Sequence, residues 1–186
     1  MKSSARALFL AALGMFAAAP ALADEAISAS PKSVSLIRAM RADEIAVANA
    51  KLAFLGGNLV EQFGKTSNGC IKRVSHTEFT AGWARVVDAF LKPPEVEMAL
   101  AFYQSPAGVK YIEGLLRRMR ERQGKESQLP EVPSKEDISP ADLAKISDFS
   151  SSDVGRRLGK DFLQSPAALA WGRDMTEQIA RKCGGK

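Results

Sequence analysis

The sequence is poor in the residues that most often carry chemistry. It has one histidine, His76, and two cysteines, Cys70 and Cys183, among 186 residues. A Ser-His-Asp or Cys-His site would have to use that histidine or one of those two thiols. A Gly-rich phosphate loop, a His-Glu-x-x-His helix and a calcium-binding loop are all missing from the sequence. We therefore predict no catalytic residue, no metal site and no cofactor.

A strong charge imbalance is also lacking. The 26 basic and 21 acidic residues leave a formal net charge of +5, and removing Lys2 and Arg6 with the N-terminal segment lowers it to about +3. No basic stretch is interleaved with aromatic residues, and no zinc-ligand spacing is present. The composition therefore argues against a nucleic-acid partner.

Long apolar runs are absent except at the N-terminus. Lys2 and Arg6 precede the apolar residues 7–19, and Ala21-Leu22-Ala23 follows them. This order of charged, apolar and small residues is typical of a secretory signal peptide. The run is too short and too rich in alanine for a permanent transmembrane helix. We predict a signal peptide over residues 1–23.

The mature chain, residues 24–186, then forms a single periplasmic domain with no transmembrane span. Two cysteines in an oxidising compartment normally form a disulfide. We therefore predict a bond between Cys70 and Cys183, the alternative being two buried free thiols.

An internal repeat organises the second half of the chain. Residues 93–108 align with residues 140–155 at an offset of 47 residues. A third, shorter copy begins at Phe162. The matched positions are Pro93 with Pro140, Phe102 with Phe149, Ser105 with Ser152, and Gly108 with Gly155.

Each copy is typical of a helix, a break and a second helix. The aromatic residue lies near the end of the first helix, and the serine caps the next one. A proline such as Pro106 suits the first turn, where its missing N–H costs nothing. The glycine allows a ring or a backbone to approach closely. We interpret the motif as architectural; the alternative is that it also borders a binding site.

The remaining spacing predicts an all-α fold, a single compact bundle of six to seven helices. A long helical pattern runs from Ser30 to about Gly64 and is interrupted at Gly56-Gly57, where we expect a kink or a close helix crossing. Ser75 and Glu78 form a capping-box pattern that places His76 at the surface. Residues 123–139 predict an exposed connecting loop.

The binding candidates are aromatic and basic. Tyr103 and Tyr111 could line an apolar groove. Arg117, Arg118 and Arg120 form a basic cluster at the C-terminal end of a helix. Such a cluster complements the helix dipole or contacts an anionic envelope surface.

Acidic residues offer the other possibility. Glu95, Glu97 and Asp142 could serve a glycosidase, which needs two carboxyl groups. Glu95 and Asp142 match at the repeat offset, however, and both lie in the first turn of a helix, where the helix dipole favours an acid. We therefore interpret them as structural.

Residues 83–115, above all Phe102-Tyr103-x-Ser105-Pro106-x-Gly108, resemble the exported bacterial helical family catalogued as domain of unknown function 2059. The resemblance implies an all-helical fold and a location in the cell envelope. It implies no chemistry.

Two function classes follow from these patterns. The first is a non-catalytic envelope protein that binds another protein, peptidoglycan or an anionic lipid surface. The second is a cell-wall hydrolase that uses acidic residues. A groove lined by Tyr103, Tyr111 and apolar residues would favour the first, and a pocket holding two converging carboxylates would favour the second.

Overall fold

The computed structural model describes residues 28–132 and 138–184. The predicted signal peptide, residues 1–23, lies outside the described residues. Within the two ranges the chain forms α-helices and 3-10 turns and no β-strand, which confirms the predicted all-α fold. The helices are α1 (Pro31–Met40), α2 (Ala42–Leu55), α3 (Val60–Phe63), α4 (Asn68–Arg73), α5 (Thr80–Phe90), α6 (Pro93–Tyr103), α7 (Pro106–Gln123), α8 (Pro140–Ser151), α9 (Asp153–Lys160) and α10 (Pro166–Cys183). In the part of the chain described, no helix is both long and apolar enough to cross a bilayer.

The ten helices of the described residues exceed the predicted six to seven because the first helical pattern breaks twice and the short helix α4 follows it. Arg41 takes a left-handed conformation with φ 53°, which ends α1 and starts α2. That conformation costs about 1–2 kcal/mol for a residue with a Cβ, and the Arg41 guanidinium is held there by Glu44 at 2.6 Å. The second break confirms the prediction at Gly56-Gly57, since α2 ends at Leu55 and Gly57 has φ +76°.

Serine begins most of the helices. In each case the hydroxyl oxygen accepts a hydrogen bond from the backbone N–H three residues later, which satisfies one of the unpaired donors of the first turn. The four Ser-Pro pairs all act in this way. The capping serines are Ser30, Ser67, Ser105, Ser139, Ser152 and Ser165.

Helix α5 lies at the centre of the bundle. It packs against α1 on one side and α10 on the other, and its buried residues include Trp83, Ala84 and Val87. The contact with α10 is close, because a Cβ built on Gly82 would lie 1.9 Å from the Trp171 ring. The predicted capping box of Ser75 and Glu78 is present, but it caps a 3-10 turn, His76–Glu78, that precedes α5.

The predicted disulfide is confirmed. Cys70 in α4 and Cys183 at the end of α10 are bonded, with Cα atoms 5.4 Å apart. Beside the bond, the Ser67 N–H donates to the Cys183 carbonyl at 2.9 Å, and Lys182 pairs with Glu78 at 2.7 Å. The end of α10 is therefore fixed to the middle of the chain by covalent and polar contacts together.

The first two copies of the repeat pack against each other. Copy 1 is the hairpin α6–α7 and copy 2 is the hairpin α8–α9; α6 contacts α9, and α7 contacts α8. This exchange of contacts relates the two hairpins by an approximate two-fold axis. The rings of Phe102 and Phe149, which match in the alignment, stack with centroids 3.9 Å apart and planes 7° apart. We call the two hairpins together the repeat pair.

The connection between the copies departs from the prediction. Residues 123–139 were expected to form an exposed loop, but Gly124–Glu126 form a 3-10 turn and Leu129 is only 3% exposed. Arg120 donates a hydrogen bond to the Leu129 carbonyl. The predicted exposure is therefore wrong at Leu129, whose apolar side chain is buried in the core. Residues 133–137 of the predicted loop lie outside the described residues.

Candidate functional site

The carboxylates that could have served a hydrolase are engaged by cations within the repeat pair. Glu95 contacts Arg157 at 2.5 Å, and Asp142 contacts Lys110 at 3.0 Å. The repeat offset carries Glu95 onto Asp142 and Lys110 onto Arg157. The two ion pairs are therefore equivalent, each joining an acid of one copy to a cation of the other.

These contacts do not suit a catalytic acid. Hydrogen bonds from Lys110 and Ser139 hold the pKa of Asp142 below its ordinary value, whereas a general acid in a glycosidase needs a raised pKa. Glu97, the third candidate, pairs with Lys32. Each of the three acids thus has a cationic partner and a structural role.

The serine and glycine of the motif are used by the backbone. The Ser105 hydroxyl accepts from the Gly108 N–H at 3.1 Å and donates to the Phe102 carbonyl at 2.6 Å. Ser152 repeats both contacts with Gly155 and Phe149.

The glycines are required by the turn that these bonds form. A Cβ built on Gly108 would lie 2.1 Å from the Phe102 carbonyl oxygen, and one on Gly155 would lie 1.9 Å from that of Phe149. The close approach is therefore to a backbone carbonyl, one of the two approaches that the sequence predicted.

The tyrosine candidates belong to an aromatic cluster inside the repeat pair. Tyr103 is 6% exposed, and its ring contacts those of Phe149 and Tyr111. Burial raises the pKa of Tyr103 above its ordinary value. Tyr111 is half-buried, so these two residues contribute to the core of the repeat pair more than to an open surface.

The basic candidates are spread around α7. Arg120 points to the following connection, where it bonds the Leu129 carbonyl and lies 4.0 Å from Glu131. Arg117 is half-buried and Arg118 is exposed. The structure thus leaves Arg118 as the most accessible of the three.

A different surface, which the sequence did not indicate, has the shape of a binding site. It is an open groove of about 410 Å³ between α3 and α10, with Trp83 of α5 at its floor. We call it the leucine groove, after Leu59, Leu163 and Leu169 on its rim. Leu163 is 62% exposed and Leu169 is 58% exposed. Apolar side chains that are exposed together around a concavity are typical of an interaction surface.

Polar groups of the groove are few, and Gln62, Trp83 and Arg173 have no side-chain hydrogen-bond partner among the described residues. Arg173 is the one charged residue among the lining residues described, and no ion pair or hydrogen bond of its side chain is found in the described chain. Trp83 is 4% exposed, and its Nε1–H has no acceptor among the described residues. The Thr176 hydroxyl, by contrast, already donates to the Gly172 carbonyl at 2.8 Å.

A smaller hollow of about 190 Å³ contains Glu44, Lys51 and His76. Its ionisable groups have partners: Glu44 pairs with Arg41, His76 lies 4.0 Å from Glu44, and Lys51 donates to the Lys72 carbonyl at 3.1 Å. Burial lowers the pKa of Lys51. These contacts join α2 to the segment before α5, so a structural role accounts for them.

Among known proteins, no family model, curated protein or solved structure matches this chain. The resemblance to the domain of unknown function 2059 family therefore stays a prediction.

Proposed function

We propose that this protein is a non-catalytic protein of the bacterial cell envelope that binds another protein or an envelope component through the leucine groove. The observation that carries the proposal is the exposure of Leu163 and Leu169 beside the groove. Leaving a leucine side chain in water forgoes about 1.5–3 kcal/mol relative to burying it. Since Leu163 and Leu169 are 62% and 58% exposed, a partner that covers both recovers somewhat more than half of that free energy for each.

Export is the second part of the proposal. The order of residues 1–23 supports a signal peptide, and a disulfide is typical of proteins outside the cytoplasm. We expect intact-mass analysis of a periplasmic fraction to find a chain that begins at Asp24 and lacks two hydrogen masses because of the disulfide. A periplasmic species that retains Met1 would contradict it.

Binding through the groove can be tested with two variants matched in exposure. Leu143 on α8 is 59% exposed, against 58% for Leu169, and it is not part of the groove. We expect wild-type protein and the Leu143→Glu variant to retain the same component from a membrane and periplasmic extract, and the Leu169→Glu variant to lose it. Equal retention by all three would show that the groove is not the binding site.

The cell-wall hydrolase remains the alternative, but its acids are held in ion pairs. We expect the purified mature protein to release no soluble fragments from peptidoglycan. Release that is abolished in the Glu95→Gln variant, with folding unchanged, would replace the binding proposal by the hydrolase.

A further inference from the structure

The leucine groove has features that restrict the chemistry of its occupant. Arg173 is exposed on the groove, and its side chain has no partner in the described chain, whereas the Trp83 Nε1–H is buried beneath the surface and out of reach of an occupant. The carboxylate of the next residue, Asp174, already accepts from Gln178 at 2.9 Å. An occupant that brings an anionic hydrogen-bond acceptor would pair with Arg173.

The apolar lining restricts the backbone of the occupant. A peptide that binds as an added β-strand needs a sheet edge for its N–H and C=O groups, and neither described range contains a strand. A helix satisfies those groups internally. It can therefore press an apolar face against Trp83, Phe63 and Leu169 without leaving backbone groups unpaired.

The width of the apolar surface favours a helix over a single lipid chain as the occupant. The groove is open, and Leu163 and Leu169 stand on its rim with more than half of their surface in water. A single acyl chain in the groove would leave both leucines exposed. A helix, which is about 10–12 Å across with its side chains, would cover the groove and the rim together.

We propose that the leucine groove binds an amphipathic helix of a partner protein, and that a carboxylate on this helix pairs with Arg173. The inference rests on the proposed function, since it names the partner of the same surface. Apolar residues of the helix at three- and four-residue spacing lie over Trp83 and against Leu163 and Leu169.

The test uses a phage-displayed library of helical peptides, selected on the oxidised mature protein and counter-selected on its Leu169→Glu variant. We expect the enriched peptides to share an apolar stripe of helical spacing and one acidic position. A synthetic enriched peptide should bind the Leu169→Glu and Arg173→Glu variants at least about tenfold more weakly, as measured by fluorescence anisotropy. Binding to the Leu143→Glu and Arg118→Glu variants should change less than about twofold, because these exposed residues lie outside the groove.

A second peptide, with the acid replaced by its amide, tests the role of Arg173. We expect the amide peptide to bind the wild-type protein more weakly than the acid does, and the two peptides to bind the Arg173→Glu variant without that preference. Circular dichroism and melting of every variant control for folding. An acid and an amide that bind the wild-type protein equally would overturn the inference and leave the proposed function standing.

Other occupants give different results. Binding to phosphatidylglycerol vesicles that is lost in the Leu169→Glu variant, without any enriched peptide, would replace the helix by a lipid. Self-association in sedimentation that is lost in the same variant would replace it by a second copy of this chain. If none of the three probes depends on Leu169, both the inference and the proposed function are wrong.

Discussion

At the scale of single residues, each copy of the repeat contains a glycine that has no room for a side chain, unlike the other glycines in the same helices. Gly108 lies against the carbonyl of Phe102, and Gly155 lies against that of Phe149. A Cβ at either position would overlap the carbonyl oxygen. Gly114 in α7 and Gly159 in α9 have no atom within 4 Å of a built Cβ. The chain thus contains two constrained glycines and two matched controls.

We expect Gly108→Ala and Gly155→Ala to lower the free energy of unfolding by about 1–3 kcal/mol, because the added methyl group forces the turn open. Gly114→Ala and Gly159→Ala should leave it unchanged or raise it by up to about 1 kcal/mol through helix propensity. Urea unfolding of the four variants measures the difference. Equal effects at all four positions would show that the carbonyl contact is unimportant.

Ser105 gives a second prediction at this scale. Its hydroxyl makes two hydrogen bonds at the start of α7, so Ser105→Ala should cost about 1 kcal/mol of stability. Ser151 is the control, because its exposed hydroxyl only bonds back to the Ser147 carbonyl within α8. A Ser105→Ala variant that keeps the wild-type melting temperature but loses groove-dependent binding would make this serine functional instead of structural.

The sequence predicted these residue-scale features because they are local. A serine before a proline and a glycine three residues later specify a turn without reference to the rest of the chain. The exposure of Leu163 and Leu169 was not predicted, because which side of a helix stays uncovered depends on the helices around it. The usable signal was that Leu169 lies off the buried stripe of Met175, Ile179 and Cys183.

At the scale of helices, the repeat pair is an interface between two similar hairpins. Its stacked rings lie near the approximate two-fold axis, and its two ion pairs lie on either side. Arg157 contributes further contacts, since it donates to the Phe90 carbonyl at 2.7 Å and lies over the Phe90 ring. The repeat pair is thereby joined to the central helix α5.

The Asp142 ion pair predicts that the stability of the fold depends on pH. The pKa of Asp142 is lower in the folded state, chiefly because Lys110 bonds its carboxylate, than the value of about 3.9 expected in the unfolded chain. The contribution of this ion pair to folding stability is therefore present above the unfolded pKa of Asp142 and is lost as the pH falls through the folded pKa. We expect Asp142→Asn to lower the melting temperature at pH 7, and the difference from wild type to shrink as the pH falls below the unfolded pKa and to vanish below the folded-state pKa.

Asp148→Asn controls for the loss of one carboxylate on the same helix, because no salt bridge involves Asp148 in the described chain. It should leave the melting temperature at pH 7 unchanged. A melting-temperature difference between Asp142→Asn and wild type that stayed constant from pH 7 to pH 2 would contradict the role of the ion pair.

One of the two breaks in the first helical pattern could be predicted from the sequence, and the other could not. The break at Gly56-Gly57 was predicted, because two glycines weaken any helix. The break at Arg41 was not, since arginine favours helices and the pattern stays helical on both sides. Its left-handed conformation depends on a contact with Glu44 and on the packing of α1 against α5 and α6.

At the scale of the whole molecule, the disulfide joins positions 113 residues apart. Closing a loop of that length stabilises the folded state by about 4–5 kcal/mol in the chain-entropy model. We expect the Cys70→Ser/Cys183→Ser double variant to unfold at a clearly lower guanidinium concentration than the oxidised protein. The reduced wild-type protein should match the double variant, and an unchanged midpoint in both would contradict the prediction.

The cysteine pairing could be predicted because two cysteines allow one intramolecular bond. The arrangement that creates the leucine groove could not, because α3, α5 and α10 come from distant parts of the chain. No local sequence pattern predicts that a gap lies between α10 and α3. The candidate site is thus a product of tertiary packing.

The reciprocal contacts of the repeat pair have a consequence for assembly. Copy 2 of one molecule presents to copy 1 of another the same acid, cation and ring that it presents to its own copy 1. The covalent connection between α7 and α8 keeps the pairing within one chain, because it raises the effective concentration of copy 2 at copy 1. A connection cut too short to span the pair would redirect the same contacts to a neighbour, and the protein would exchange hairpins to form a dimer.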